Sequence, residues 1–590
     1  MANREKISAA LRLHQEGNLL EAGEIYREVL ASEPDNVDAL NLMGVVMQAA
    51  GDLELAADLI GRAAELAPDY FGPFANLGNV YQAAGRLEEA LDSFRRALEL
   101  NPDSAETVNN MASLFNQLGR HQEALKASEA ALGIFPEFPA ARLNLGNALA
   151  ALGKVDQAIA CYRQTIEADP ESGDGWFNLG NIYVDQEDWR EAQAAFGKAL
   201  ALDPENPEKQ YNLALSLLKC EEYGDAARYF REAIRNRPNY IDAQCNLASA
   251  LQAQGQTAEA MQELRQALTA EPDSPDLHWN LALISLQHGD YEQGWREYEW
   301  RWKTPTFADF NRTFSVPQWA GEPLDRKTVL VTAEQGFGDG IQFARYVPML
   351  GDRGASVILE CRPQLTGLFE TLEGVGSCID LGSHAGPIDF YVPLMSLPHI
   401  FGTTLQTVPC QVPYLRVPEA RNAHETVLEE SEFKIGFAWA GSATRVDNHK
   451  RSCDVALFSQ LFSLPGTRFF SLQVGEFSNQ LDALDPGRAV YDLSDTLSDF
   501  ADTAAVIGNL DVVVSVDTSV LHLAGALGVS AIGLLSRPTG FLWMDERRDS
   551  PWYPNTVLIR QSVSGDWTSV FDEAEQELRS RIVDFLDHGR

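Results

Sequence analysis

An aspartate lies directly behind a glycine-rich turn in VTAEQGFGDGIQFARYVP, residues 331–348. The turn follows an apolar run typical of a buried strand and opens a helix-like pattern, so Asp339 is predicted at a helix N-terminus. This carboxylate could cap the helix, which the spacing alone favours, or accept a proton from a hydroxyl nucleophile. A standard phosphate cradle is excluded, because Ile341 replaces the third glycine of the dinucleotide fingerprint and no lysine completes a Walker A loop.

A second candidate group follows another apolar run, in SVDTSVLHLAGALG at residues 515–528. Thr518 and Ser519 begin a predicted helix whose free amides, with the two hydroxyls, could bind an anion. Asp517 could accept hydrogen bonds from sugar hydroxyls. His522, one turn along, could contact a ligand or be a buried, hydrogen-bonded core residue.

A basic loop, GSATRVDNHKRS, is unusual in a chain whose formal net charge is −39. It contains Arg445, Lys450 and Arg451, and it could be a solvated surface loop. Alternatively, these cations and the helix start at residue 518 could hold a diphosphate and stabilise it as a leaving group. Gln473, at the end of another predicted strand, is similarly placed for a nucleotide. The chain contains no Asp-x-Asp triplet, so we expect no metal ion to hold the diphosphate.

Two series of apolar runs must position these loops. The first contains TVLVTA and SVILEC around a predicted helix at about residues 340–350, and the second contains KIGFAWAG, RFFSLQVG, DVVVSV and SAIGLL. Ligands of parallel α/β sheets bind at the carboxyl ends of the strands, so two facing sheets would bring the loops together across a cleft. We therefore expect an N-terminal nucleotide-fold domain over residues 328–425 and a C-terminal one over 426–590.

In chain order, the three loops resemble the elements of glycosyltransferase family 9, the heptosyltransferase-like enzymes, over about residues 326–585. The matching residues are Gly338, Asp339 and Pro348 in the first loop, Thr444, Arg445, Asp447 and Lys450 in the second, and Asp517, Thr518, His522, Ala524 and Ala526 in the third. Ser519 stands where that family usually has glycine, and the spacing to the histidine is shifted by one.

The resemblance implies a GT-B fold, in which two Rossmann-like domains face one another. It favours Asp339 as the general base on the acceptor side of an inverting, metal-independent transferase with no cofactor besides its nucleotide-sugar substrate. The donor-binding residues are then Arg445, Lys450, Gln473, Asp517, Thr518, Ser519 and His522.

Two more segments, DFADTAAVIGNLD and FLWMDERRDSPWYP, resemble parts of bacterial proteins that join repeats to a glycosyltransferase region. Asp502 and Thr503 could reach the base or ribose of the donor. Trp543, Arg548 and Trp552 could line the sugar pocket. A purely structural role is the alternative for each of these residues.

Proline recurs every 34 residues through the first half, at Pro34, Pro68, Pro102, Pro136, Pro170, Pro204, Pro238 and Pro272. The pattern resembles the tetratricopeptide repeat (TPR), clearest in WFNLGNIYVDQEDWREAQAAFGKALALDP. It predicts an α-solenoid, a superhelix of about nine TPR units over residues 1–305, followed by a linker over 306–327. The ninth unit carries Trp295, Tyr298, Trp300 and Trp302, as expected where a solenoid end packs against another domain.

A row of asparagines keeps the same register: Asn76, Asn110, Asn144, Asn178, Asn212, Asn246 and Asn280. Each precedes a small packing residue by two positions, about 200° around the helix, so the amides are predicted to face a groove. Such a row could bind the backbone of an extended peptide without reading its sequence. Asparagine could also simply be common at this position, but the similar row in O-GlcNAc transferases favours peptide binding.

Composition limits the partners and the compartment. The acidic balance, with a pI near 4.6, argues against nucleic acid. Seven scattered cysteines without a C-x-x-C pair fit a reducing compartment. Charges throughout the first 17 residues do not match a signal peptide, and no apolar stretch approaches 18 residues. We expect a cytoplasmic protein without a membrane span.

Together, the repeats and the resemblance predict a protein O-glycosyltransferase that moves a sugar from a nucleotide sugar to Ser or Thr of a captured polypeptide. Flagellin is one candidate acceptor, because repeat-bearing transferases of this build act on flagellins. Two alternatives stay open. One is a repeat scaffold whose transferase region has lost activity, and the other is a transferase for a lipid-linked or polysaccharide acceptor.

Overall fold

The computed structural model describes residues 2–419, 421, 432–443, 448–484 and 490–588. Four residues of the basic loop, Thr444, Arg445, Val446 and Asp447, lie outside these ranges. The chain divides into two compact units, Met1–Ala243 and Gln244–Arg590.

Antiparallel helix pairs build the first unit, each helix packing on the next. The helices are α1 (Ala2–Gln15), α2 (Leu19–Ser32), α3 (Val37–Ala49), α4 (Leu53–Leu66), α5 (Phe71–Ala83), α6 (Leu87–Leu100), α7 (Ala105–Gln117), α8 (His121–Ile134), α9 (Pro139–Ala151), α10 (Val155–Ala168), α11 (Gly173–Asp185), α12 (Trp189–Leu202), α13 (Pro207–Lys219) and α14 (Tyr223–Asn236). Small residues permit this packing, since a Cβ on Gly44 would lie only 2.3 Å from Ile60 Cγ1. The predicted repeat solenoid is confirmed.

The second unit begins with the last repeats and continues into α/β structure. Its repeat helices are α15 (Ile241–Ala253, which starts in the first unit), α16 (Thr257–Ala270), α17 (Pro275–His288) and α18 (Tyr291–Tyr298), followed by a 3-10 turn at Glu299–Lys303. The later helices are α19 (Phe337–Phe343), α20 (Val347–Gly351), α21 (Pro363–Phe369), α22 (Leu397–Ile400), α23 (Asn448–Arg451), α24 (Ser459–Phe462), α25 (Phe500–Ile507), α26 (Ser519–Ala526) and α27 (Thr568–His588). None of the helices in the described ranges is both long and apolar enough to cross a membrane.

Two parallel sheets form the α/β part, as predicted. The first contains β1 (Thr328–Thr332), β2 (Ser356–Cys361), β3 (Val375–Asp380) and β4 (Phe390–Pro393) in the order β3-β2-β1-β4. The second contains β5 (Phe433–Ala438), β6 (Thr467–Ser471), β7 (Val490–Asp492), β8 (Val512–Val516), β9 (Ala531–Leu535) and β10 (Thr556–Arg560) in the order β10-β9-β8-β5-β6-β7. This is the doubly wound Rossmann order. All strands are parallel, and the strand order changes direction between the neighbours β5 and β8.

One hydrophobic core joins the end of the repeats to both sheets. Trp295 and Tyr298 of α18 are buried in it, and Trp295 packs edge-on against Phe343 and Trp552. Two of the four aromatic residues predicted at this end, Trp295 and Tyr298, therefore pack against the α/β region. Trp300 belongs to the periphery, where it stacks on a histidine of α17.

Candidate active site

A cavity of about 890 Å³ lies where the loops after β1, β5, β6, β8 and β9 meet. These loops are at the carboxyl ends of parallel strands, the edge where α/β sheets bind ligands, and the volume is within the range of small-molecule pockets. Seven of the eight residues that the sequence predicted for the transferase site line this cavity: Asp339, Lys450, Gln473, Asp517, Thr518, Ser519 and His522. The eighth, Arg445, lies outside the described residues.

Asp339 is half-buried in the first turn of α19, where its Oδ2 accepts a hydrogen bond from the Gly336 amide at 3.1 Å. The capping interaction is therefore present, and it fixes the direction of the carboxylate. This bond occupies one of about four acceptor positions of the carboxylate, which lines the cavity.

Helix α19 approaches α26 closely at Gly338. A Cβ at this glycine would lie 2.8 Å from Cδ2 of His522, which is too close for any side chain without movement of the ring. The contact therefore links two helices from different sheets. Helix α19 follows β1 of the first sheet and carries Asp339, and α26 follows β8 of the second sheet and begins directly after Thr518.

Asp517 lies on the floor of the cavity and is 9% exposed. Arg451 forms an ion pair with its carboxylate and donates to its backbone oxygen at 3.0 Å, while the Trp543 indole donates to Oδ1 at 2.7 Å. Burial works against the charge of Asp517, but the Arg451 guanidinium and these hydrogen bonds keep its pKa below the ordinary value. Asp517 thus already has partners within the protein, and its acceptance of hydrogen bonds from sugar hydroxyls stays a prediction.

His522 is buried beside this ion pair. Its ring stacks on Trp543 at a centroid distance of 4.9 Å, and Nδ1 hydrogen-bonds the Tyr553 hydroxyl at 3.1 Å. Burial lowers the pKa of His522 to about 4, so the imidazole is neutral near pH 7. Of the two roles considered for His522, the ring has the surroundings of a buried, hydrogen-bonded core residue. His522 also lines the cavity.

The start of α26 and the exposed Lys450 supply the positive side of the cavity. Thr518 is the N-cap residue, and its hydroxyl lies 2.8 Å from that of Ser515, while Ser519 and Val520 of the first turn line the cavity. Within the described ranges, Lys450 forms no ion pair with a carboxylate. A helix start and a cation on one wall suit a phosphate group.

Gln473 follows β6 and lines the cavity, but its side-chain oxygen already has partners within the protein. Its Oε1 accepts from the backbone amides of Trp439 and Ala440 at 3.2 and 3.0 Å. The side chain therefore fixes the turn after β5 and is not free to use this oxygen for a nucleotide.

The five residues from the two later segments divide into two groups. Thr503 and Trp543 line the cavity. Asp502 and Arg548 do not, because each forms ion pairs with oppositely charged side chains elsewhere. Trp552 does not line it either, since the ring is buried in the core against the last repeat.

Sequence reasoning missed an aromatic pair at the cavity. Phe337 at the start of α19 packs on Phe500 at the start of α25, with ring centroids 5.1 Å apart, and both line the cavity. A phenylalanine at the start of a helix looks like any core residue in a sequence, so no signal could have identified this contact.

The predicted asparagine row is half-buried, and its amides bond within the repeats. Four members donate to an asparagine Oδ1 of the preceding repeat: Asn76 to Asn41 at 3.0 Å, and Asn110 to Asn79, Asn144 to Asn109 and Asn178 to Asn147 at 2.8 Å each. Asn212 and Asn280 donate to backbone oxygens one turn earlier in their own helices. An amide nitrogen has two hydrogens, so peptide binding by the row stays a prediction.

Comparison with known proteins assigns the repeats. Tetratricopeptide repeat models match residues 13–78, 70–137, 115–179, 177–241 and 251–294, so this part of the chain consists of tetratricopeptide repeats. Protein FlbA of Caulobacter vibrioides is 25% identical over 328 residues, which cover 50% of this chain and 54% of that protein. The chain thus spans about half the length of this curated relative.

Two solved repeat proteins are similar to parts of the chain. A tetratricopeptide repeat protein from Parabacteroides merdae is 19% identical, with a TM-score of 0.36, over 42% of this chain and 98% of its own. A thermophilic repeat protein of Thermus thermophilus is 26% identical, with a TM-score of 0.28, over 31% of this chain and 98% of its own.

Proposed function

We propose that this chain is a protein O-glycosyltransferase that moves a sugar from a nucleotide-sugar donor to a serine or threonine hydroxyl. The observation that carries the proposal is the shared cavity, in which Asp339 from the first sheet lines the same space as Lys450 and the start of α26 from the second. A cavity of about 890 Å³ suits a ligand the size of a nucleotide sugar.

The donor phosphates bind at the positive wall. Lys450, the Thr518 hydroxyl and the first amides of α26 hold the diphosphate and stabilise the charge that grows on it as it leaves. A monophosphate leaving group, as in a CMP-activated acid sugar, would use the same groups.

Asp339 acts on the acceptor. The hydroxyl oxygen attacks the anomeric carbon and forms the new C–O bond, Asp339 accepts its proton, and the bond to the phosphate oxygen breaks on the opposite face. This geometry inverts the configuration at the anomeric carbon. The Gly336 amide directs the carboxylate.

The acceptor is a polypeptide held by the repeats. Flagellin is the first acceptor to test, because the resemblance is to repeat-bearing transferases of this build. Tethering an acceptor to the chain that carries the site raises its local concentration toward the millimolar range.

An inactive scaffold is the second candidate, favoured by two of the contacts above. Asp339 is engaged as a helix cap, and Asp517 is neutralised by Arg451. Incubation with a panel of nucleotide sugars and flagellin separates the two: an active transferase releases nucleotide and adds the mass of a sugar, whereas a scaffold does neither.

Replacing Asp339 with Asn tests the base directly. An asparagine oxygen preserves the cap with Gly336 but cannot accept the proton, so transfer should fall about a hundredfold or more while nucleotide affinity is retained. Intact-mass spectrometry of the acceptor measures transfer, and calorimetric titration measures nucleotide affinity. Lys450→Ala is the complementary variant: it should weaken nucleotide binding, because it removes a cation that holds the donor phosphates. Unchanged transfer by Asp339→Asn would remove this residue from the mechanism.

A further inference from the structure

The last repeat contacts two of the loops that line the cavity. This repeat comprises α17, α18 and the 3-10 turn Glu299–Lys303, all in the second unit of the chain. The loops follow β1 and β9, and they carry Asp339 and Trp543 respectively.

Tyr298 holds the loop after β1. Its hydroxyl accepts a hydrogen bond from the side-chain nitrogen Nε2 of Gln335 at 3.0 Å, and Tyr298 is 1% exposed. The next residue along the chain is Gly336, whose amide donates to the Asp339 carboxylate. A short covalent and hydrogen-bonded path therefore runs from the repeat to the proposed base.

A buried ion pair fixes the same loop one residue earlier. Arg301, fully buried, donates to Glu334 at 3.2 Å and to Ser396 at 2.8 Å. Glu334 also accepts from the Leu394 amide at 3.2 Å. Two consecutive residues of the loop, Glu334 and Gln335, are thus anchored by the end of the repeat.

Gln287 of α17 holds the loop after β9. Its amide nitrogen donates to the Thr539 carbonyl at 3.1 Å and to the Asp545 carboxylate. Between these two anchors, Phe541 packs on Tyr298 with ring centroids 5.9 Å apart. The anchored segment includes Trp543, the donor to Asp517 on the cavity floor.

We propose that the last repeat is a positioning element for the cavity, with Tyr298 as the positioning residue for Asp339 and Gln287 as that for Trp543. Neither side chain lines the cavity, so both act through the loops. The effect of this positioning on turnover rests on the proposed function. A displacement of about 1 Å at a reacting group lowers turnover strongly without preventing substrate binding.

Tyr298→Phe tests the proposal, with Tyr291→Phe as the matched control. Tyr291 lies in the same helix and loses a similar buried bond, to the Trp552 indole at 3.0 Å, but Trp552 belongs neither to the loop after β1 nor to the stretch 539–545 that Gln287 anchors. We expect kcat of Tyr298→Phe to fall about tenfold, with KM for the nucleotide sugar within about twofold of wild type. Tyr291→Phe should lose comparable thermal stability and keep its kcat. Equal kcat for Tyr298→Phe and wild type, or equal losses in both variants, would overturn the proposal.

Two measurements separate this proposal from the function it rests on. Hydrogen exchange without substrate should speed up over residues 333–343 in Tyr298→Phe and over 536–545 in Gln287→Leu, while 511–517 stays unchanged in both. Adding Gln335→Met to Tyr298→Phe should lower kcat no further, because both changes break one interaction. A wild type that transfers no sugar refutes the proposed function, yet the exchange data still decide the positioning. Unchanged exchange with active transfer refutes the positioning alone.

Discussion

At the scale of single residues, burial decides what His522 can do. The ring lies among Trp543, Tyr553 and the Arg451–Asp517 pair, with a pKa of about 4. In the unfolded chain a histidine has its ordinary pKa of about 6.5. Between these values the unfolded state binds a proton that the folded state does not, so stability falls as the pH drops from about 6.5 toward 4.

This sign gives a testable difference. From pH 7 to pH 5, His522 should lower the free energy of unfolding by about 2 kcal/mol. His522→Gln removes the titration, so it should lose about 2 kcal/mol less than wild type on acidification, as measured by urea unfolding at both pH values. His399→Gln, at an exposed histidine of α22, should follow the wild type. If both variants respond to acid alike, His522 is not buried in its neutral form.

The sequence could locate residues of the cavity where each follows a strand or begins a helix. Asp339 and Thr518 are of this kind, since an apolar run followed by a turn predicts both the strand and its carboxyl end. The sequence could not show that Asp517 is neutralised by Arg451 and bonded by Trp543, because the three meet only through tertiary contacts. The ion pair neutralises the charge of Asp517, but it leaves no trace in the pattern of an apolar run followed by a turn.

At the scale of elements, the strands with continuous apolar runs were predicted and the mixed ones were not. β5 and β8 are buried at every position, whereas β3 contains only half-buried and exposed residues and gave no signal. The helix expected at about residues 340–350 is in fact α19, a 3-10 turn and α20. Pro348, in the first turn of α20, lacks the amide hydrogen that an uninterrupted helix would need there.

The contact between α19 and α26 makes Gly338 a sensitive position. Gly338→Ala places a methyl group against the buried His522 ring, so we expect a loss of about 1–3 kcal/mol in the free energy of unfolding. Gly367→Ala, within α21, is the matched control, because its Cβ would lie at an ordinary contact distance of 3.7 Å from Cβ of Ala501. Helix propensity should leave that variant as stable as wild type or slightly more stable. Equal stability of the two variants in urea would show that the helices are not in close contact.

At the scale of the whole molecule, a 34-residue period is the strongest signal in the sequence, and it predicted the repeats throughout. Repetition makes each packing position visible many times, so one weak unit does not hide the pattern. The amide row shows the limit of this reasoning. Periodicity placed Asn110 and Asn144 in one column, but it could not reveal that they donate to Asn79 and Asn109 of neighbouring repeats.

The last prediction concerns capture of the acceptor by that row. We expect simultaneous replacement of Asn76, Asn110, Asn144 and Asn178 by Ala to raise KM for a protein acceptor about tenfold or more, since each lost hydrogen bond is worth about 0.5–1.5 kcal/mol. The kcat and the KM for the nucleotide sugar should not change, because the cavity lies wholly within the second unit. A short peptide with the same acceptor serine is the control: it lacks the length to follow the repeats, so its KM should be the same for variant and wild type. Equal effects on both acceptors would assign the row to repeat stability, and no effect on either would show that it binds no polypeptide.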